Sequence, residues 1–249
     1  RYPVRVIDGD GTGPAAARNI GVAFSRGKIL IFLDADCRVK PGWLSAHLTA
    51  HSRYLGLVAV GGSICMEPDA HLWARCDHYC SWYNVNPGLP ALWVPNHTPA
   101  NLSIGRKAFN LAGGFQEDLP RAGVHEEAQW QGRLRDLGGR IRFEPQAAVF
   151  HTDRDNMIDV IRHNYWWAYN SITVKHQTGI SRFPWVFKRP WILVAGFIPF
   201  AVFHTLYTIV CWLRAGRLEP LAFGPFIFLG RLAYATGMVI GRLQTIQKR

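Results

Sequence analysis

Over the first 150 residues, short apolar runs alternate with longer segments whose apolar positions recur every three or four residues. "VRVI" (4–7), "KILIFL" (28–33), "LVAVGGSICM" (57–66), "NLSIG" (101–105), "RIRFE" (140–144) and "AAVFH" (147–151) read as strands. Residues 13–27 read as a helix with Ala15, Ile20 and Phe24 among its apolar positions and Gly27 as its stop. Further helices are expected after Pro41, over "AHLWARCDHYCSWYNV" (70–85), from Arg106 to Ala112 and from Glu126 to Leu137, with a Pro-rich loop over 86–100. The unbroken apolar run Ile29–Leu33 suits a parallel sheet covered on both faces. Strands interleaved with helices predict an α/β layered domain.

Past residue 155 the pattern changes. Residues 156–188 are aromatic and basic, as expected of an amphipathic segment lying along a membrane interface. Trp191–Leu213 then runs for 23 residues without a charge. As a helix it would be about 34 Å long, enough to cross a hydrocarbon core of about 30 Å. A second apolar stretch, Leu221–Ile240, carries only Arg231. The expected division is a catalytic domain over 1–155, a juxtamembrane segment over 156–188 and a transmembrane hairpin over 189–249.

Charge sharpens this division. The net charge is +11, yet residues 1–159 hold 17 Lys/Arg against 16 Asp/Glu while residues 160–249 hold 11 against 1. The excess brackets the most apolar sequence, which suits an anionic membrane surface and not nucleic acid. Lys175, Arg182, Lys188 and Arg189 precede the hairpin, Arg242, Lys248 and Arg249 follow it, and only Arg214 and Arg217 lie in its connecting loop. The positive-inside rule then places both hairpin ends, and the α/β domain, in the cytoplasm. Five cysteines without scaffold spacing fit a reducing compartment. "CDHYC" (76–80) has no second half-site for zinc in view and reads as helix packing.

Chemistry concentrates where an apolar strand runs into Asp34 and Asp36. A calcium loop would need a further oxygen ligand and a glycine where Arg38 and Val39 stand. A plain turn is open to Asp. Ligands of α/β sheets nevertheless bind beyond the carboxyl ends of strands, where this pair sits. One residue between two acids lets one coordinate Mg²⁺ or Mn²⁺ while the other holds a sugar hydroxyl.

The unit "GTGPAAARNIGVAFSRGKILIFLDADCRVKPGWL" closely resembles the central signature of the family 2 glycosyltransferases. The similarity continues in order through "NHTPANLSIGRKAFNLAGGFQEDLP", "HEEAQWQGRLRDLGG" and "RIRFEPQAAVFH", covering residues 5–151. It implies a GT-A fold, a Rossmann-like mixed sheet, and transfer of a sugar from a nucleotide diphosphate to an acceptor hydroxyl. By the same resemblance Arg18, Asp34 and Asp36 bind the nucleotide sugar, and Asp36 and His151 hold the Mg²⁺ or Mn²⁺ ion. Glu127 aligns with the general base. A Glu-Glu pair stands where Glu-Asp is commoner, so Glu126 stays a second candidate. One base acting directly implies inversion. Asn101, Trp130 and Arg133 are expected on the acceptor or diphosphate side, with core packing an equal alternative for Trp130.

Two departures matter. "QWQGRL" (129–134) lacks the Gln-x-x-Arg-Trp spacing of processive synthases, which favours transfer of a single sugar. The family's first strand, with the acids that grip the base, has no counterpart, so the resemblance marks the chain as N-terminally incomplete. The expected partners are a nucleotide-diphosphate sugar donor, a lipid-linked or glycan acceptor and the membrane, with no nucleic acid. Two alternatives remain: a nucleotidyltransferase, or a membrane-anchored domain that binds nucleotide sugar without catalysis.

Overall fold

The computed structural model describes residues 4–9, 11, 13–118, 125–178 and 189–247. In chain order the elements are α1 (Pro14–Phe24), β1 (Ile29–Leu33), β2 (Cys37–Val39), α2 (Trp43–Arg53), β3 (Val58–Met66), α3 (Leu72–Ser81), β4 (Leu92–Val94), β5 (Asn101–Gly105), α4 (Arg106–Ala112), α5 (Glu126–Asp136) and β6 (Arg140–His151). Three long helices follow: α6 (Met157–Thr178), α7 (Pro190–Arg214) and α8 (Gly224–Gln247).

The strands form one mixed sheet in the order β1-β5-β3-β6-β2, with β4 also pairing β6. β3 and β6 are parallel, and the other pairs are antiparallel. The α/β expectation holds in this mixed form. β1, expected inside a parallel sheet, instead lies at an edge and runs antiparallel to β5. Leu30 and Phe32 face the core, while Leu33 is exposed. Residues 4–7 form no strand: Val4 and Val6 are 85% and 86% exposed. A four-residue alternating segment becomes a strand only by pairing, and among the described residues no strand lies beside it. The two expected strands over 140–151 are one element, and a register shift between Gly62 and Ile64 of β3 lets it continue past Pro145.

One core cluster joins Leu30, Phe32, Phe109, Phe115, Trp130, Leu134 and Ile141 beneath α1, α4 and α5. On α5, Trp130 and Leu134 recur at i and i+4, and both are fully buried. Complete burial of side chains of this size stabilises the fold by roughly 1.5–3 kcal/mol each.

α7 and α8 are long and apolar enough to cross a membrane, over Trp191–Arg214 and Gly224–Gln244. Trp191, Val194, Ile198, Val202, Leu206 and Val210 leave an exposed apolar stripe along α7. α8 packs on α6 through Gly237 and Gly241, where a Cβ would meet the carbonyl oxygens of Tyr165 and Tyr169. Arg231, the charge inside the second apolar stretch, is 4% exposed. It donates to the Cys80 carbonyl at the end of α3 and to Thr208 Oγ1, as a cation at a helix C-terminus should. The last ten residues of the juxtamembrane segment, 179–188, and the basic residues Arg182, Lys188, Lys248 and Arg249 lie outside the described residues.

Candidate active site

β1 ends at Leu33, and the chain turns at once, with Cys37 N donating to Asp34 O at 3.1 Å. It re-enters the sheet as β2, antiparallel to the end of β6, with Cys37 opposite His151. Thr152 N donates to Asp36 O at 2.9 Å and closes this corner. The register brings Asp36 Oδ2 to 3.4 Å from His151 Nε2. Asp36 is half exposed and His151 is buried.

His151 is oriented from behind. Its Nδ1–H donates to Asp153 Oδ1 at 2.9 Å, so that Nε2 faces Asp36 and in the neutral ring is the nitrogen with the lone pair. Asp153 is buried and also accepts from His78 Nδ1 at 2.7 Å and from Trp82 Nε1 at 2.9 Å. Burial alone would raise its pKa, but the bonds from His151 and His78 win and hold the carboxyl down at about 2. Burial works against the His151 cation too, yet Asp153, Asp36 and Asp77 together raise its pKa.

An imidazole nitrogen backed by a carboxylate and set beside a second carboxylate is a donor set that fits a divalent cation. Asp36, Cys37 and His151 offer ligand atoms within 4.8 Å of one another. Without a cation, burial and the charges of Asp36 and Asp34 push the Cys37 thiol up to about 12.

A second group lies beside this one. Arg18, on α1, donates through one nitrogen to Asp34 Oδ1 at 3.0 Å and through the other to Glu126 Oε1 at 2.9 Å. Glu126 is buried because it sits one turn before Trp130, on the core-facing stripe of α5. A carboxylate there needs a cation, and Arg18 supplies it. Glu127 is rotated off that stripe and only partly buried. Burial first, and then the neighbouring Glu126, push its carboxyl up to about 7, against the pull of Arg18 and Lys175. A carboxyl at that value exchanges protons near neutrality.

The structure thus brings together Arg18, Asp34, Asp36, His151 and Glu126, with Glu127 adjacent to Glu126 in the first turn of α5. It places the other three expected residues elsewhere. Asn101 is fully buried and spends its amide inside the fold, donating to Ser63 O and Ala147 O and accepting from Trp43 Nε1. Trp130 is fully buried against Phe109 and Phe115. Arg133 donates to Ala112 O and Gly114 O and ties α5 to the end of α4. Residues not singled out from the sequence are Asp153, Trp82 and Gln131. The side chain of Gln131 bonds both the N–H and the carbonyl of His97, as a strand neighbour would. His78 of "CDHYC" is committed to Asp153. The "HTD" spacing after β6 was the available signal for Asp153.

Residues 1–115 match the family model described as "Glycosyl transferase family 2". The match holds Arg18, Asp34 and Asp36, whereas Glu126, Glu127 and His151 lie beyond it. The chain is 32% identical over 155 residues to a pre-mycofactocin glycosyltransferase of Mycobacterium tuberculosis (strain CDC 1551 / Oshkosh), covering 60% of this chain and 32% of that protein. It is 27% identical over 150 residues to glycosyltransferase AglE of Haloferax volcanii, covering 60% and 47%. The chain thus matches 32% and 47% of these relatives' lengths. Among solved structures, mannosyltransferase PcManGT from Pyrobaculum calidifontis, determined with GDP-Man and Mn²⁺, aligns at a TM-score of 0.48 and 15% identity over 94% of this chain and 67% of that one. GalNAc-T7, determined with UDP, GalNAc and Mn²⁺, aligns at 0.46 and 18% over 69% and 39%.

Proposed function

We propose that this chain is the catalytic part of an inverting glycosyltransferase that moves one sugar from a nucleotide-diphosphate donor to an acceptor hydroxyl. The observation that carries the reading is the junction at Arg18, which joins Asp34, beyond the sheet edge, to the first turn of the helix bearing Glu127. Arg18 and Asp34 hold the donor. Glu127 takes the proton from the acceptor hydroxyl as its oxygen attacks the anomeric carbon, and a single base acting in one displacement inverts that carbon. Asp36 and His151 would hold Mg²⁺ or Mn²⁺, which when bound neutralises charge on the departing nucleoside diphosphate.

The exposed apolar stripe of α7 and the basic residues around the hairpin support a membrane anchor with the α/β domain on the cytoplasmic face. A lipid-linked or membrane-proximal acceptor follows from that placement.

The test is a panel of nucleotide sugars given to the full-length protein in membranes with Mn²⁺ or Mg²⁺, reading released nucleoside diphosphate. Asp36→Ala and Glu127→Gln are expected to abolish release. Wild-type rates in either variant would sink the mechanism, and release of pyrophosphate would indicate a nucleotidyltransferase.

A further inference from the structure

The helix that carries Glu126 and Glu127 starts in an unusual way. His125, its N-cap residue, has φ 68°, the one positive φ outside glycine among the described residues. An L-residue with a Cβ occupies that region only when something else holds it. An N-cap side chain ordinarily turns back to bond the helix's own first N–H groups. His125 makes no such bond. Its Nε2 lies instead 2.6 Å from Ser171 Oγ on α6, and its ring lies 6.1 Å from that of Trp167, centroid to centroid.

Trp167, Ser171 and Lys175 are four residues apart in turn, so they share one face of α6. All three act on the start of α5: Trp167 flanks the His125 ring, Ser171 bonds it, and Lys175 attracts Glu127. Ser171 is 2% exposed. The interaction therefore links two helices, buried at its Ser171 end and partly buried at His125.

We propose that His125 is a positioning residue which, through Ser171, locks the first turn of α5 so that α6 sets the placement of the catalytic carboxylate. The proposal rests on the reading of Glu127 as the base. It adds that the helix packed against the apolar hairpin holds that base in register. The His125 imidazole suits this role because burial pushes its pKa down to about 4, so near pH 7 it is neutral and keeps one fixed donor and one fixed acceptor.

The experiment compares His125→Ala, Ser171→Ala, Ser171→Thr and the double alanine variant in the full-length membrane-embedded protein. It reads kcat, donor KM and amide hydrogen exchange over α5. Loss of alignment at a reacting centre predicts that each alanine variant loses about ten- to a hundredfold in kcat while donor KM changes by less than about twofold. The double variant is expected to be no slower than the worse single one, because the two residues form one link. Ser171→Thr keeps the hydroxyl and is expected to restore turnover. Exchange at the Gln129 amide, whose bond goes to the His125 carbonyl, is expected to quicken in both single variants.

Unchanged kcat, additive losses, or exchange that quickens across the sheet and not at α5 would each overturn the proposal. Glu127→Gln separates the two failures. If that variant turns over normally, the base reading falls, and the exchange result alone then decides for or against the link.

Discussion

Asp153→Asn keeps the shape of the side chain and removes its charge and one of its two acceptor oxygens. In the native protein Oδ1 accepts from His151 Nδ1 and Trp82 Nε1, each at 2.9 Å, and Oδ2 accepts from His78 Nδ1 at 2.7 Å. An amide offers one acceptor oxygen and turns an NH₂ toward one of the two histidines. If that histidine is His151, its Nδ1 becomes the acceptor and the proton moves to Nε2, the atom facing Asp36. The lone pair a cation needs is then gone. If it is His78, that ring must change tautomer or lose its partner. Losing the group that orients a metal-ligating histidine costs about 10- to 100-fold in metal affinity, which is about 1.4–2.7 kcal/mol. Stability falls as well, because hydrogen bonds to a buried charged group are worth about 1.5–3 kcal/mol each. The assay is a calorimetric titration of the full-length protein with Mn²⁺, alongside a thermal unfolding scan that confirms the variant is folded. A folded variant with native Mn²⁺ affinity would refute the argument that Asp153 sets the His151 tautomer. Acid offers a second view of the same group. Its pKa is depressed in the folded protein to about 2, so its stabilising contribution is complete above the unfolded value of 3.8 and is lost as pH falls toward 2.

Glu127 should give a pH–rate profile with a limb near 7: its carboxyl is raised to about 7, the base is the ionised form, and kcat/KM falls about tenfold per unit below that value. A limb centred near 4.5 would contradict the burial assigned to it. Trp130→Ala should cost about 3–5 kcal/mol of stability and Trp130→Phe clearly less, with donor KM unchanged in the folded fraction. A selective rise in donor KM would instead return Trp130 to the pocket wall. Gly62→Ala should destabilise by about 1–3 kcal/mol or more in thermal scans, since its Cβ would sit 1.9 Å from the Ala147 carbonyl oxygen and 2.3 Å from Asn101 Nδ2. A native unfolding temperature would show that the β3–β6 corner is looser than the close approach implies.

The longer elements were legible because their signal is local. The 3.6-residue period of α5 and the apolar run of β1 need nothing from the rest of the chain to be recognised. β2 and β4 were not legible, since each is three residues long and exists only by pairing with β6. β4 lies in a stretch that reads as a Pro-rich loop. The acidic pair and Arg18 could be named from their place in an ordered set of blocks. Which face of α5 each glutamate occupies could not be separated from that alone, and burial of Trp130 at i+4 from Glu126 decided it. Asn101 shows the opposite limit. A polar residue opening a strand reads as a pocket group, but its four hydrogen-bonding positions are absorbed by α2, β3 and β6, contacts distant in sequence.

The end of α3 has a practical consequence. Tyr79 and Cys80 form a core cluster with Trp212 and Ile227 of the apolar hairpin, and Trp212 Nε1 donates to the Tyr79 carbonyl at 3.0 Å. The neighbouring residues of the same helical segment, His78 and Trp82, are the ones that grip Asp153. Truncation at residue 155, where composition suggests a clean cut, would strip the outer side of that segment and leave its inner side to hold His151 unaided. Purified protein should therefore report the quality of its detergent or nanodisc through Mn²⁺ affinity, well before it unfolds. On the proposed reading, solubilisation is expected to reach the Asp36–His151 corner itself.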